Sequence, residues 1–384
     1  MARRVPGTVV RYGVIGLGGM GQGHCKSIAA IPHAALAAVC DSHGATAAAV
    51  GKEYGVSAWT TPSRLIASGA CDAVLVSTPH PVRPPIVLKA MRAGLHVLSE
   101  KPLSEKVSTA DRMLATARET GVAFAVMFQR RTRPVIQKAR EIVERGELGE
   151  IRRTAMFCPE YRSQAYYDHG GWRATWVGEG GGVLINQAPH LMDMFVSLGG
   201  VPVWVDGRVA TRMHRIDVED HAEALLRYAN GATGYVYCST NEPAPGERLE
   251  IVGDKGKLVY EDDILIHYVY EPSLAEFTAK NTDVWAAPKV RKRHVRASAA
   301  GSHRLLIENF TRHLLKGEPL LSPAEEALGS LELANAILLS ADRGKAVKLP
   351  VNRRAYDAFL ARKRREFPSV RQVEDKRITD PRGR

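Results

Sequence analysis

The sequence predicts an α/β protein: a doubly wound parallel sheet at the N-terminus, followed by an α+β domain with a large open, mainly antiparallel sheet. Two observations predict this. Short apolar runs alternate with helical stretches as far as residue 128, the rhythm of βα units. Beyond that point apolar runs follow one another across hairpin signals such as Asn230-Gly231 and Asp254-Lys255-Gly256, and helices return only near the end. At 384 residues the chain exceeds what one hydrophobic core organises, and the expected divisions are 1–128, 129–350 and a basic extension, 351–384.

Taken in order, Val9 to Ile15 is a β-rich run ending in Gly16-Leu17-Gly18-Gly19-Met20-Gly21, which fits G-x-G-x-x-G. Helical residues follow through Ser27 and Ala30, and a second strand, Leu36 to Cys40, ends at Asp41. A glycine pattern alone is weak. Strand, turn, helix and strand with an acid about 20 residues on is the Rossmann fingerprint for a dinucleotide. Here Gly16, Gly18, Gly19, Met20 and Gly21 would let the backbone approach a pyrophosphate whose charge the helix amides hold. Asp41 would accept from the adenosine ribose hydroxyls and repel a 2′-phosphate. Ser42 and His43 follow it where a phosphate site would place arginine, so NAD is favoured over NADP.

The alternation continues with a helix over Ala45 to Tyr54, a short strand near Trp59, a helix over Pro62 to Ser68 and an apolar strand from Ala73 to Ser77. That strand stops at Thr78-Pro79-His80, a second strand-end loop on the same edge of the sheet. A helix over Ile86 to Ala93, closed by Gly94, leads into the buried strand Leu95 to Leu98, which ends in Ser99-Glu100-Lys101-Pro102. Ligands of open α/β sheets bind beyond the carboxyl ends of the strands, where Lys101 falls. A helix over Lys106 to Thr120 and a strand over Val122 to Met127 complete six strands, and Gln129-Arg130-Arg131 marks the change of pattern. After an amphipathic helix over Pro134 to Arg145, seven strands are expected between Arg152 and Tyr268. Helices over His303 to Leu315 and Ala324 to Ser340 close the fold.

Composition narrows the function classes. Hydrophobic content of 45% and charged content of 24% are ordinary for a globular protein. No apolar run approaches the ~18 residues of a membrane span. Met1 to Gly7 reads as the lead into a first strand and not as a leader, so a cytoplasmic protein is expected. Five cysteines, Cys25, Cys40, Cys71, Cys158 and Cys238, form no C-x-x-C pair, which argues for reduced thiols and against a metal site. The net charge of +12 is local: Arg362 to Arg384 holds nine Lys/Arg against four Asp/Glu, and Lys289 to Arg296 adds five basic residues. Neither run carries interleaved aromatics that would stack on bases, so nucleic acid is not an expected partner. Both are read as solvated or wrapped on a partner subunit.

The chemistry concentrates between Tyr161 and Asp193. Three glycines, Gly180 to Gly182, precede Asn186 and His190, which lie four apart and would share one face of a helix opening near Asn186. Histidine takes a hydroxyl proton near neutral pH, as alcohol oxidation by hydride transfer requires. Tyr161, Tyr166, Tyr167, Trp172 and Trp176, with Arg173, form a candidate substrate wall suited to a sugar ring.

Together these motifs, with the Gly149-Glu150-Ile151 entry to the second domain, resemble the Gfo/Idh/MocA family of NAD(P)-dependent oxidoreductases over about Arg11 to Pro350. The resemblance implies chemistry on sugars, inositols and related polyols, and a homodimer or homotetramer formed through the open sheet. By it Lys101 is the catalytic lysine, bridging substrate hydroxyl and cofactor ribose, and His190 is the proton acceptor. It further implies cofactor contacts from Ser77, Thr78, Pro79, His80, Glu100 and Gln129. Asn186 joins Tyr161, Tyr167, Trp172, Arg173 and Trp176 in binding substrate. Glu100 would position Lys101 or the cofactor, and Pro102 would fix the turn.

Two positions depart from the pattern. Family members such as inositol dehydrogenases often carry Asp four residues before the histidine, where this chain has Asn186. The usual T-P-N-x-x-H loop reads Thr78-Pro79-His80-Pro81-Val82-Arg83, with Arg83 in the place of histidine. The expected activity is NAD-dependent oxidation of a secondary carbinol of a pyranose-like ring. The alternatives are an NAD-dependent redox-elimination glycosidase and a non-catalytic NAD(H)-binding sensor.

Overall fold

The computed structural model describes residues 5, 7–243, 245–295 and 301–368. The expectations for Met1 to Arg4, Pro6, Arg296 and the tail from 369 onward lie outside the described residues.

The first lobe runs β1 (Val10–Ile15), α1 (Gly19–Ala29), β2 (Ala34–Cys40), α2 (Gly44–Tyr54), β3 (Ser57–Trp59), α3 (Pro62–Ala67), β4 (Ala73–Val76), α4 (Arg83–Arg92), β5 (His96–Ser99), α5 (Val107–Thr120) and β6 (Phe124–Val126). Its six strands are parallel in the order β3-β2-β1-β4-β5-β6, so the order reverses beside β1 and opens a crevice there. β4 and β5 are buried at every position, as parallel strands covered on both faces must be.

The second lobe begins with α6 (Pro134–Glu144), β7 (Ile151–Pro159), α7 (Gln164–Asp168) and α8 (Pro189–Gly199). It continues through β8 (Trp204–Ala210), β9 (His221–Arg227), β10 (Thr233–Ser239), β11 (Arg248–Gly253), β12 (Gly256–Glu261) and β13 (Ile264–Glu271). After α9 (Leu274–Lys280) come β14 (Lys289–Val295), α10 (His303–Lys316), α11 (Ala324–Arg343), β15 (Val347–Lys348) and α12 (Arg353–Glu366). The nine strands form one sheet in the order β14-β13-β12-β11-β7-β10-β9-β8-β15. All its pairings are antiparallel except β7 with β10.

One expectation is refined and one corrected. The basic run from Lys289 to Val295 is an edge strand, β14, paired antiparallel with β13 and exposed along nearly all its length. A cation-rich strand at a sheet edge discourages further pairing. The helix carrying His190 opens at Pro189, not near Asn186, because proline supplies the fixed φ and missing N–H that suit a first turn. Asn186 therefore sits in the preceding turn.

α10 turns back onto the first sheet: Leu306, Ile307, Phe310 and Leu314 pack with Val10, Tyr12, Val14 and Ile28. On the other side one continuous core joins Val76 and Val97 of the first sheet to Phe195, Leu226 and Leu338 of the second lobe. The cleft between the sheets is thus anchored on both flanks.

Candidate active site

The glycine turn is shaped by contact. Gly16 has φ +93°, and a Cβ there would lie 2.6 Å from the Ser77 carbonyl oxygen, while a Cβ on Gly21 would lie 1.8 Å from the Gly16 carbonyl oxygen. Gly18 caps α1 without a side-chain hydrogen bond and has nothing within 4 Å of its Cβ position, so the first-turn amides beside Gly19 and Met20 are open to an anion. Asp41, buried at the end of β2, accepts the Leu17 amide at 2.8 Å and the His43 amide at 2.8 Å. A carboxylate with two oxygens keeps acceptor capacity for a ribose hydroxyl. Cradle, open helix end and acid fit an NAD adenosine diphosphate.

Ser77 closes the other side of this turn, with its amide on the Ile15 carbonyl. The loop after it is held by Arg83. That buried guanidinium donates to the Thr78 carbonyl at 3.2 and 2.8 Å and to the Glu100 and Pro102 carbonyls at 2.7 Å each. The departure at residue 83 is therefore a brace tying the Thr78-Pro79-His80 loop to the Lys101 turn. The Lys101–Pro102 peptide is cis.

Glu100 places its carboxylate against α1. It meets buried His24 of α1 at 2.7 Å and the Lys101 amide at 3.1 Å. Despite burial, the His24 hydrogen bond and neighbouring positive charge hold its pKa down to about 2. Lys101 Nζ crosses to the second lobe, donating to the Asn186 main-chain oxygen at 2.7 Å and to Asn186 Oδ1 at 3.3 Å. Burial lowers its pKa, opposed by Glu100 and Glu160.

His190 is 8% exposed, its ring edge-on to Phe128 with centroids 5.7 Å apart, and its Nδ1 has no partner. Burial, then the Lys101 charge, pushes its pKa well below the usual imidazole range, leaving a neutral ring able to accept a proton. α8 is fixed by a buried bidentate pair, Arg131 Nε and Nη2 on Asp193 at 2.6 and 2.7 Å. Gln129 lies in the turn after β6, buried, with Oε1 unpartnered.

The aromatic wall divides. Tyr166 stands at the site, its hydroxyl 3.4 Å from Asn186 Nδ2, and Trp172 packs edge-on against His80 at 5.3 Å. Arg173 lies over both rings at 4.9 and 5.0 Å. Tyr161 is 48% exposed at the end of β7. Two residues are corrected. Tyr167 is 2% exposed with its hydroxyl on Thr240, and Trp176 is 5% exposed with Nε1 on the Asp217 carbonyl and its ring against Phe359. Both are core residues, since their polar tips found partners inside.

Sequence reasoning missed the acids of the glycine-rich loop. Glu219 accepts the Gly182 and Leu184 amides at 2.9 and 3.1 Å, and a Cβ on Gly182 would fall 1.9 Å from the Glu219 carbonyl. Gly182 thus serves approach to Glu219, while Gly180 and Gly181 pack closely on Glu105 and Ile185. Glu179, 1% exposed, accepts the Ala174 amide at 2.7 Å and Asn186 Nδ2, and its carbonyl accepts from His80 Nδ1 at 3.1 Å. Burial pushes its carboxyl up to about 8. A lone charge between Gly178 and Gly180 was the available signal.

Family comparison decides the assignment. Residues 10–128 match the oxidoreductase family with an NAD-binding Rossmann fold, and residues 136–259 match the GFO/IDH/MocA C-terminal domain. The chain belongs to the Gfo/Idh/MocA oxidoreductase family. Among Gfo/Idh/MocA relatives, scyllo-inositol 2-dehydrogenase (NAD(+)) of Bacillus subtilis is 26% identical over 352 residues, spanning 90% of this chain and 97% of that protein. Myo-inositol 2-dehydrogenase of Thermotoga maritima is 26% identical over 348 residues, 88% of this chain and 98% of that protein. The WlbA dehydrogenase of Bordetella pertussis, solved with NADH and UDP-GlcNAcA, superposes with a TM-score of 0.74 at 27% identity, covering 90% of this chain and 100% of that one. Among the described residues no helix is long and apolar enough to cross a membrane.

Proposed function

We propose that this protein is an NAD-dependent dehydrogenase that oxidises a secondary carbinol of a sugar, inositol or glycoside. One observation carries the proposal: the Lys101 ammonium from the first lobe is held by Asn186 of the second, four residues before the buried, neutral, open-sided His190. NAD supplies a hydride acceptor. The chain's own residues do the rest. Lys101 polarises the carbinol oxygen and stabilises charge developing on it in a site that excludes water. His190 takes the hydroxyl proton at Nδ1, a role an amide at residue 186 cannot share. Trp172, Tyr166 and Arg173 offer ring faces and a cation along which a polyol can lie, and the inositol and nucleotide-sugar chemistry of the relatives supports that class. Asp41 supports NAD over its 2′-phosphorylated form.

The same proposal makes the enzyme a cytoplasmic homodimer or homotetramer joined through the open sheet. Phe157 and Leu225 stand exposed on that sheet, with Tyr235 and Tyr237 rings 5.7 and 6.5 Å from Phe157. Such a patch is suited to burial between copies.

A panel of sugars, inositols and glycosides assayed for net NADH formation tests the activity. At least one polyol should drive NADH formation. Release of aglycone without net NADH would replace the dehydrogenase with a redox-elimination glycosidase, and NAD binding without turnover of any member would leave a sensor.

A further inference from the structure

Glu179 is buried in the cleft yet touches neither the expected substrate position nor a basic side chain directly. Its two oxygens are both used. Oε2 accepts the Ala174 amide at 2.7 Å, and Oε1 accepts Asn186 Nδ2. Across the same side chain, Asn186 Oδ1 accepts from Lys101 Nζ. An amide lying between an ammonium and an acid that accepts from it has one satisfactory orientation. Turned over, its NH2 would face the ammonium, donor against donor.

We propose that Glu179 is a positioning residue of the hydride-transfer site: it fixes the Asn186 amide so that its oxygen faces Lys101, and so places the ammonium at the reacting carbinol. The inference rests on the dehydrogenase function proposed above. It makes residues 179 and 186 one unit, an acid backing an amide. The acid stays one hydrogen bond away from Lys101, holding the ammonium in place through the amide without covering it. No proton passes along this chain, because the amide cannot relay one, and the substrate proton leaves through His190. Tyr166 reinforces the arrangement, with its hydroxyl within reach of Asn186 Nδ2 and Gln187 Nε2 at 3.4 and 3.3 Å.

The unit predicts a reciprocal exchange. Glu179→Gln has one acceptor for two donors. If its oxygen keeps the Ala174 amide, its NH2 faces the Asn186 NH2, and turning the asparagine only moves the clash to Lys101. Asn186→Asp sets carboxyl against carboxyl, which traps a proton between them. The double variant Glu179→Gln/Asn186→Asp restores the alternation: oxygen to the Ala174 amide, NH2 to the new carboxylate, carboxylate to Lys101.

Each single change is expected to lower kcat on the order of tenfold to a hundredfold, with KM for NAD changed less than about threefold. The double variant should recover at least about tenfold over the poorer single. An acid that merely stabilises the loop gives losses that add, and a double variant no better than the poorer single overturns the inference, as does a Glu179→Gln enzyme with undiminished kcat. Should Glu179→Gln not fold, the gain from Asn186→Asp to the double variant decides the same question.

A second readout separates this inference from the dehydrogenase function. Trace acetylation of Lys101, followed by mass spectrometry, should rise in Glu179→Gln and return towards the original rate in the double variant even if no substrate is found. Unchanged acetylation across the set would overturn the positioning role whatever the enzyme oxidises.

Discussion

In the proposed reaction Lys101 and His190 carry different parts of one proton and charge transfer, and their variants should separate. Replacing the ammonium, Lys101→Met, removes charge stabilisation at the carbinol oxygen and is expected to lower kcat by about 10²- to 10⁴-fold, with NAD affinity changed by no more than about tenfold. His190→Asn keeps size and polarity but removes the base, and should cost about 10²-fold or more in kcat. Steady-state kinetics with titration of NADH fluorescence checks both. The placement of these two residues at the cleft was legible in the sequence, one at a strand end before proline and the other four residues after an amide in a glycine-rich stretch. Tyr167 and Trp176 were misjudged for a physical reason. Aromatics among glycines and charges look exposed until their polar tips find partners, and Thr240 and Asp217 lie far along the chain. Glu179 showed only as a lone charge between glycines, because the fold alone brings its partners Asn186 and Ala174 against it.

The turn between β1 and α1 shows how an element divides labour among similar residues. Gly21→Ala would drive a methyl into the Gly16 carbonyl at 1.8 Å, so it should cost about 1–3 kcal/mol of stability as well as NAD affinity. Gly18→Ala has open space at its Cβ and an ordinary φ of −63°, so it should leave the thermal midpoint unchanged while weakening NAD, whose pyrophosphate would meet the new methyl. Thermal melts in the absence and presence of NAD distinguish the two. The parallel strands were legible because burial on both faces makes each a compact apolar run. β14 was not, since an exposed edge strand dense in cations has the composition of a solvated segment. The start of α8 moved to Pro189 because helical spacing between Asn186 and His190 also suits a tight turn running into a helix.

Across the whole molecule, α1, the β5 turn and α10 meet at a buried charge cluster that ties fold stability to pH. His24 bonds Glu100 at 2.7 Å, and His303 of α10 packs edge-on to His24 with centroids 5.4 Å apart. Burial depresses the His303 pKa from 6.5 to about 4, so the unfolded chain takes up a proton that the folded chain refuses. The contribution of His303 to stability is therefore full above about pH 6.5 and is lost as pH drops towards 4. Glu100, ionised in the fold down to about 2 against 4.5 unfolded, adds a second loss in the same direction below about 4.5. Buried Glu179, its carboxyl pushed up to about 8, acts in the opposite sense over the same range, so the cluster is read as a difference: the thermal midpoint of the original protein relative to His303→Gln should decline from pH 7 to pH 4. A difference that does not change with pH would remove the cluster from the stability account. This coupling was not legible beforehand, because nothing in the helical pattern of His303 to Leu315 says that it packs on the first sheet.

The same packing sets Lys101 and His190 across one cleft, and isotope transfer tests what they do there. A polyol substrate deuterated at the oxidised carbon should deliver its label to C4 of the NADH formed, on a single face, with none released to water. Label appearing in solvent, or unlabelled NADH accompanying product, would contradict direct hydride transfer at this site.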